Sequence, residues 1–531
     1  MVRMDFVAGT TSRQTQSVRC DARLVLFITA MLLQIGAWRL VSVASLTVAA
    51  TWWNSADAVA YTISQVFAGK TVLVDMPSQY GLFAEFVAPI FQIIGLSVFS
   101  FTALWAILQV VSLSAVFHVM QRYIREPALK VVTGLALVMV TFETSLWLIG
   151  IDERYWQYWP IRFLWPALSV LAFHSYTRRN TVGRLLVVSA IGAIGSIWNS
   201  DSGLVIVIAL TAFLVGKFSF LFLKQRATSR RERRDLLIAL ALHAVIFVLA
   251  IAAMTTYLMA KSGHALNWGW LFEYQRIFYG TGFMMMPIPT AKPSPWMPII
   301  AVYLMGMMCA LSSWMRYPKA RALDLTFYLS FLGVGLFVYY EGRSHILNLI
   351  TVCWPALMLA AILSDRVVRA HRAGLLPRYQ LCLPTLTLTL LLFCCIPLLR
   401  YAPSLAKESV INFETRGVPD DAQVVDELAF IRAHSVRGEQ CLILSFRQGL
   451  YYAETGLVSP VNGPGYSELI TSHDRDLLID QLRRLKAPCV FVGVGNDSAV
   501  ELEIDPVLVL TQYVVQTTSA KGTMLFLRPR R

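Results

Sequence analysis

The sequence predicts a polytopic α-helical membrane protein with a C-terminal α/β domain outside the membrane. Three observations carry that reading. The 531-residue chain is 56% hydrophobic and only 15% charged, with a mean hydropathy of +0.58. A soluble protein of this length needs more polar surface to cover its core. Apolar runs of roughly 18 residues or more, long enough to cross a bilayer as helices, recur through the first ~400 positions. Beyond that point charged residues become frequent and the apolar runs shorten.

The first span is expected over 24–50, "LVLFITAMLLQIGAW" onward. It is too long for a cleaved signal peptide and leads straight into further structure. Residues 51–97 are too mixed for a span and read as an extended loop with short helices lying along the membrane surface. A second span is expected over 98–121, ending at "RYIREPALK". Further spans are expected near 131–149, 161–176, 185–198, 203–223, 236–259, 297–315, 325–340, 346–364 and 381–399. That makes about eleven, with 185–198 short for a crossing and open to being tilted, broken or re-entrant. A second large loop, 260–296, separates two of them.

Charge assigns the sides. One set of connections carries Arg122, Arg125 and Lys130, then Arg178, Arg179 and Arg184, then "KQRATSRRERR", then Arg316, Lys319 and Arg321, then Arg366, Arg369, Arg372 and Arg378. The alternate set holds only Lys70, Arg154, Arg162, Lys261, Arg276, Lys292 and Arg343. Lys/Arg excess marks the cytoplasmic side, so the N-terminus is expected inside and the C-terminus outside. The same distribution, short basic loops between apolar runs, excludes a nucleic-acid surface as the meaning of the +14 net charge and fits anionic membrane lipid.

With the spans in 1–400, the remainder, 401–531, reads as a small α/β domain. "DELAFIRAHSV" has helical spacing. "QCLILSF" and "CVFVGVG" read as buried strands, and "DRDLLIDQLRRLK" between them as an amphipathic helix. Strand, helix, strand implies parallel pairing. Cys441 and Cys489 open those strands, and either a bridge or two buried thiols is compatible with their places. "GVGND" lacks the spacing of a dinucleotide turn. The eight cysteines show no metal-binding spacing such as CxxC.

Candidate chemistry lies in the outer loops. Asp57, Asp75 and Glu85 occupy the first. "GIDERYWQYWPIR" supplies Asp152, Glu153, Trp156 and Arg162, and "WNSDSG" supplies Asp201. The loop 260–296 supplies His264, Glu273 and Arg276, and "YYEGRSHILN" supplies Glu341, Arg343, His345 and Asn348. Charges beside an apolar slab are costly unless paired or hydrated. Acids gathered with arginines can provide a base and an anion cradle, since the guanidinium fork matches phosphate. Each also has a plainer reading: Asp57 as a helix-start acid, Asp75 as a turn residue before Pro77, Asp152 and Glu153 as partners of Arg154 or Arg162, Arg343 as a partner of Glu341. His118 and His243 read as core or interfacial, and Glu143 as an acid inside a span.

The run "DAVAYTISQVFAGKTVLVDMPSQYG" resembles the first outer loop of GT-C-type glycosyltransferases, with Asp57, Tyr61, Gly69, Asp75 and Tyr80-Gly81 at the matching positions and Leu82 where those enzymes have Pro. "YYEGRSHILNL" and the tail from Glu427 are similar to later segments of bacterial relatives. The resemblance implies transfer of a sugar from a polyprenyl-phosphate donor to a cell-envelope glycan or lipid acceptor, at the periplasmic face of the bacterial inner membrane. It implies Asp57 as general base, with Asp75, Asp152 or Glu153 as a second acid. It implies Arg343, His345, Arg162 and Arg276 around the donor phosphate, Tyr61, Tyr80, Trp156 and Asn348 along the substrate, and no metal or other cofactor. A transporter or flippase of lipid-linked glycan is the alternative from another class, though the ionisable groups gather at one face and no internal repeat is evident. A non-catalytic scaffold, and a polymerase or ligase using diphosphate-linked donors, are further alternatives.

Overall fold

The computed structural model describes residues 56–141, 156, 158–223, 230–283, 285–317, 321–415, 421–469, 472–485, 487–494 and 512–530, with 24, 28, 31 and 32. The expected first span, the second half of 131–149, and Glu143, Asp152 and Glu153 lie outside the described residues.

Helices α1 (Asp57–Phe67) and α2 (Phe83–Ile94) form the first loop. The bundle continues as α3 (Val98–Tyr123), α4 (Pro127–Val140), α5 (Leu164–Arg178), α6 (Val182–Trp198), α7 (Ser200–Leu223), α8 (Arg230–Ser262), α9 (Trp296–Arg316), α10 (Asp324–Gly342), α11 (Ile346–Val352), α12 (Trp354–Arg372) and α13 (Cys382–Glu414). Local chemistry sets several boundaries. Ser97 and Ser100 form a capping box at the start of α3, each hydroxyl accepting from the other's backbone N–H at 3.1 and 2.9 Å. Pro127 opens α4 at a position where its missing N–H costs nothing.

Every expected span within the described residues coincides at least partly with a helix. Among these residues, six helices are long and apolar enough to cross a membrane, and seven if α11 and α12, bent by 52°, make one broken span. The count of eleven is therefore not reproduced. Helices α4 and α6 are shorter apolar helices, and α5 has 15 residues. At ~1.5 Å per residue such helices rise ~21–26 Å, short of a ~30 Å hydrocarbon core. The first loop also departs from expectation. Ten residues of α1 are buried, because the C-terminal domain packs over them instead of leaving them along a membrane surface.

The arginine-rich connections gather at one end of the bundle, where α5, α9 and α12 finish and α6 and α10 begin. Asp365 of α12 fixes that end, accepting from the backbone N–H groups of Arg125 and Glu126 at 2.8 Å each while pairing with Arg369 at 2.8 Å. The bundle interior is aromatic. Phe173 stacks on Tyr328 with centroids 4.1 Å apart, and Tyr328 donates to Ser169 at 2.9 Å.

Helix α13 continues unbroken past residue 400 to Glu414. Then come α14 (Ala422–His434), β1 (Cys441–Leu444), α15 (Gln448–Thr455), α16 (Ser472–Leu485), β2 (Cys489–Gly493), β3 (Tyr513–Thr518) and β4 (Met524–Pro529). The sheet order is β1-β2-β4-β3. Strands β1 and β2 run parallel with Cys441 opposite Cys489, as the strand-helix-strand pattern requires, and the two cysteines are disulfide-bonded. The antiparallel β3–β4 hairpin is an addition to the sequence reading.

This domain is pinned to the first loop. Helix α15 lies against α1 so closely that a Cβ on Gly449 would stand 2.4 Å from the Asp57 carbonyl. Gln65 Oε1 accepts from Ser459 N–H at 2.8 Å, and Glu454 accepts from Val98 N–H at 2.8 Å. Tyr61 meets Tyr452 edge to face at 5.7 Å.

Candidate active site

A cavity of about 100 Å³ opens at the end of the bundle opposite the arginine-rich one, and Arg162, Asp201, Tyr80, Gln275, Arg343 and Asn348 are in its wall. Each comes from a different element. Arg162 lies in the turn that feeds α5, its N–H bonded to Tyr158 O at 2.8 Å. Asp201 is in the first turn of α7, where the helix dipole favours a carboxylate. Arg343 ends α10 and Asn348 is in α11. Tyr80 arrives from the first loop, and Gln275 from the loop 260–296.

The Tyr80-Gly81 pair is held by the α6–α7 junction. Asn199 Nδ2 donates to Tyr80 O at 3.0 Å while its Oδ1 accepts from Ser202 N–H at 3.0 Å and Oγ at 2.8 Å. Gly81 has φ +86°, and a Cβ there would stand 2.4 Å from Trp198 O. Only glycine combines that backbone with that approach. The motif's glycine thus brings the Tyr80 backbone onto the helix junction that presents Asp201.

Charge in the cavity is organised around Arg162. Its guanidinium pairs with Asp201 Oδ2 at 2.9 Å and lies over the rings of Tyr339 and Tyr80, 4.8 and 5.2 Å from their centroids. Gln275 Nε2 donates to the other Asp201 oxygen at 2.7 Å. A buried arginine fixed in this way is a rigid, partly neutralised cation. Arg343 differs: it is exposed, and among the described residues no carboxylate pairs with it. Its backbone is braced instead, Asn348 Nδ2 donating to Arg343 O at 2.8 Å and Ser344 N–H to Met286 O at 3.3 Å. An exposed guanidinium, a fixed guanidinium and an amide around one hollow can receive an anionic group such as a phosphate.

The other expected site residues fall elsewhere. Asp57 is fully buried at the start of α1, where its Oδ1 accepts from Gly449 N–H at 2.6 Å, and it does not line the cavity. The covering contact comes from 392 residues downstream, which first-loop spacing cannot reveal. Tyr61 is buried under the same domain. Asp75 takes its plainer role, Oδ2 accepting from Thr71 N–H at 2.7 Å in a turn. Arg276 pairs with Glu273 three residues away on the surface. His345 caps α11, its Nδ1 accepting from Leu347 N–H at 3.3 Å. Trp156 is buried against Phe101, with ring centroids 5.3 Å apart. Glu85, itself buried, pairs with the partly exposed Lys261 at 2.7 Å. His243 is a core residue bonded to Ser189 at 3.0 Å.

One carboxylate beside the site was missed altogether. Glu468, 1% exposed, is carried by the C-terminal domain to the underside of the cavity wall, where Tyr274 donates to its backbone oxygen at 3.2 Å. Burial pushes its carboxyl up to about 8, against the pull of the Gln79 and Gly465 amides and with a further rise from Asp57. Lys70, donating to Val461 O across the same joint, is lowered to about 8 by burial. No sequence signal marks Glu468, because its burial comes entirely from docking.

No protein-family model matches the chain, and no curated protein does. Solved structures do. ArnT from Cupriavidus metallidurans bound to undecaprenyl phosphate is 14% identical, the match covering 96% of this chain and 98% of that one with a TM-score of 0.51. The apo structure of the same protein is 12% identical over 95% and 97%, with a TM-score of 0.47. The chain has the GT-C-type fold, a multi-pass helical bundle with a C-terminal domain, that the first-loop resemblance led us to expect.

Proposed function

We propose that this protein is a membrane glycosyltransferase that moves a sugar from a polyprenyl-phosphate donor to an envelope glycan or lipid acceptor. On this reading it lies in the bacterial inner membrane with the cavity and the α/β domain on the periplasmic side. The observation that carries the proposal is the cavity in which Arg343 and the Arg162–Asp201 pair converge. The fold shared with ArnT, a protein crystallised with undecaprenyl phosphate, supports the choice of a polyprenyl-phosphate donor.

The acceptor oxygen attacks the anomeric carbon, the bond from that carbon to the phosphate oxygen breaks, and the lipid phosphate leaves with the electron pair. The leaving group is already a stable anion, so cations help it more than a proton does. Arg343 is placed to take the phosphate, with Arg162 behind it. The acceptor proton passes to a carboxylate, a transfer that typically contributes ~10²–10⁴-fold. Asp201 reaches the cavity as the structure stands. Asp57, the base implied by the first-loop resemblance, reaches an acceptor only after Gly449 moves away. We assign the proton to Asp201 in this conformation. No step requires a metal.

Deleting the gene and measuring envelope glycans and lipid carriers by mass spectrometry tests the reaction class. A missing sugar with accumulated monophosphate-linked donor supports the proposal. Accumulated diphosphate-linked glycan points to the polymerase or ligase instead. Asp201→Asn and Asp57→Asn, assayed side by side, identify the base: only the true proton acceptor loses 100-fold or more in turnover (~3 kcal/mol).

A further inference from the structure

A larger cavity is found at the other end. About 450 Å³ of space lies at the arginine-rich end between α6, α7, α8 and the start of α10. Helix α7 connects the two cavities, with Asp201 near its first residue and Lys217 sixteen positions on, so they are ~24 Å apart along it. The transfer reaction uses nothing in this second space.

Its walls are of two kinds. One is apolar, including Leu185, Leu221, Leu236 and Leu242. Val182 and Ile238 also line it, and at 59% and 45% exposure they put its mouth on the outer surface of the bundle. Helix α8 continues that surface as an apolar face through Val245, Val248 and Leu249, all exposed. The mouth therefore opens toward lipid.

The other wall carries four charged side chains. Lys217 and Asp324 neutralise each other at 2.7 Å, with Trp314 donating to Asp324 at 3.0 Å and the ammonium over the Trp314 ring. Arg321 and Asp235 remain, both exposed, and neither has an ion-pair partner among the described residues. Among the described residues the Arg321 guanidinium makes a long hydrogen bond, 3.5 Å, to Thr177 O. Among the described residues the cavity thus offers one cation and one carboxylate without an ion-pair partner, and an apolar trough open to the side.

We propose that this cavity binds a zwitterionic glycerophospholipid of the adjacent leaflet, with its phosphate on Arg321, its ammonium on Asp235 and an acyl chain along the leucine wall. A soluble phosphate has no use for the trough. A purely anionic lipid leaves Asp235 facing like charge. A detached acyl chain leaves both charges unmatched. The site is independent of the transfer reaction, and so is its test.

The full chain, purified in detergent, is equilibrated with phosphatidylethanolamine, phosphatidylglycerol or inorganic phosphate, and bound adducts are counted by native mass spectrometry. Phosphatidylethanolamine is expected to be retained at least 10-fold better than phosphatidylglycerol, and inorganic phosphate not to displace it. Arg321→Gln is expected to lose the adduct, and Asp235→Asn to level the two lipids. Ala239→Trp, which fills the cavity, is expected to exclude both, with a melting curve to show that it folds. Equal retention of the two lipids by the native chain overturns the proposal. So do displacement by inorganic phosphate and an unchanged adduct count in Arg321→Gln.

Discussion

Replacing Glu468 with Gln is expected to flatten the dependence of stability on pH. In the folded protein burial raises this carboxyl from 4.5 to about 8. Between those values the folded state holds a proton that the unfolded state has lost. Stability from this group is complete below pH 4.5 and falls as pH rises toward 8, after which the loss is constant. A shift of about 3.5 units corresponds to about 5 kcal/mol over the whole window, of which about 3 kcal/mol falls between pH 6 and pH 9. Gln has nearly the same shape and no proton to lose, so the variant escapes that part of the decline. Thermal unfolding of both proteins in the same detergent at pH 6 and pH 9 reads it as a difference of differences, which cancels the titrating groups that do not interact with Glu468. The variant should hold its melting temperature better than the parent across that interval. Identical pH dependence in the two proteins would refute the reasoning, since it would mean that docking leaves the carboxyl ionised or hydrated.

Other contacts at the site and in the C-terminal domain carry expectations of their own. Gly81→Ala should lower the melting temperature and disturb the Arg162–Asp201 geometry, because a left-handed backbone and a 2.4 Å approach to Trp198 O must both give way; a cost of ~2 kcal/mol or more is expected, and an unchanged melt would contradict the packing described. Arg162→Gln strips Asp201 of its cation and leaves it Gln275 among the described residues, which at a partly buried site should cost ~1–3 kcal/mol and abolish turnover. Arg162→Lys should recover the stability but little of the activity, since an ammonium cannot reproduce the guanidinium fork. Cys489→Ala opens a 48-residue loop, which the chain-entropy argument values at about 4 kcal/mol, read as loss of the C-terminal domain's protease resistance.

The sequence and the structure agree where pattern and period decide. The spans after 97 map onto helices because an apolar run in a bilayer must satisfy its own backbone. The strand-helix-strand reading located β1, β2 and their facing cysteines because buried parallel strands leave a continuous apolar signature. Arg162, Arg343, Tyr80 and Asn348 were identifiable as polar or aromatic groups at one face, and they do share a cavity. What stayed hidden depends on contacts distant in sequence. Asp57 carries the strongest local pattern, yet α15 covers it. Asp201 was one outer-face acid among several until Gln275 and Arg162 closed on it. The β3–β4 hairpin has apolar residues on both of its runs, so no clean alternation announced it.

The most direct test is equilibrium binding of a labelled polyprenyl phosphate to the full chain in lipid nanodiscs, comparing the native protein with Arg343→Gln. Removing one charge-assisted contact to phosphate should weaken binding ~10–100-fold, with the melting curve unchanged because Arg343 is exposed. Equal affinity in the two proteins would contradict the account, for it would mean that the lipid phosphate does not enter the cavity formed by Arg162, Asp201 and Arg343.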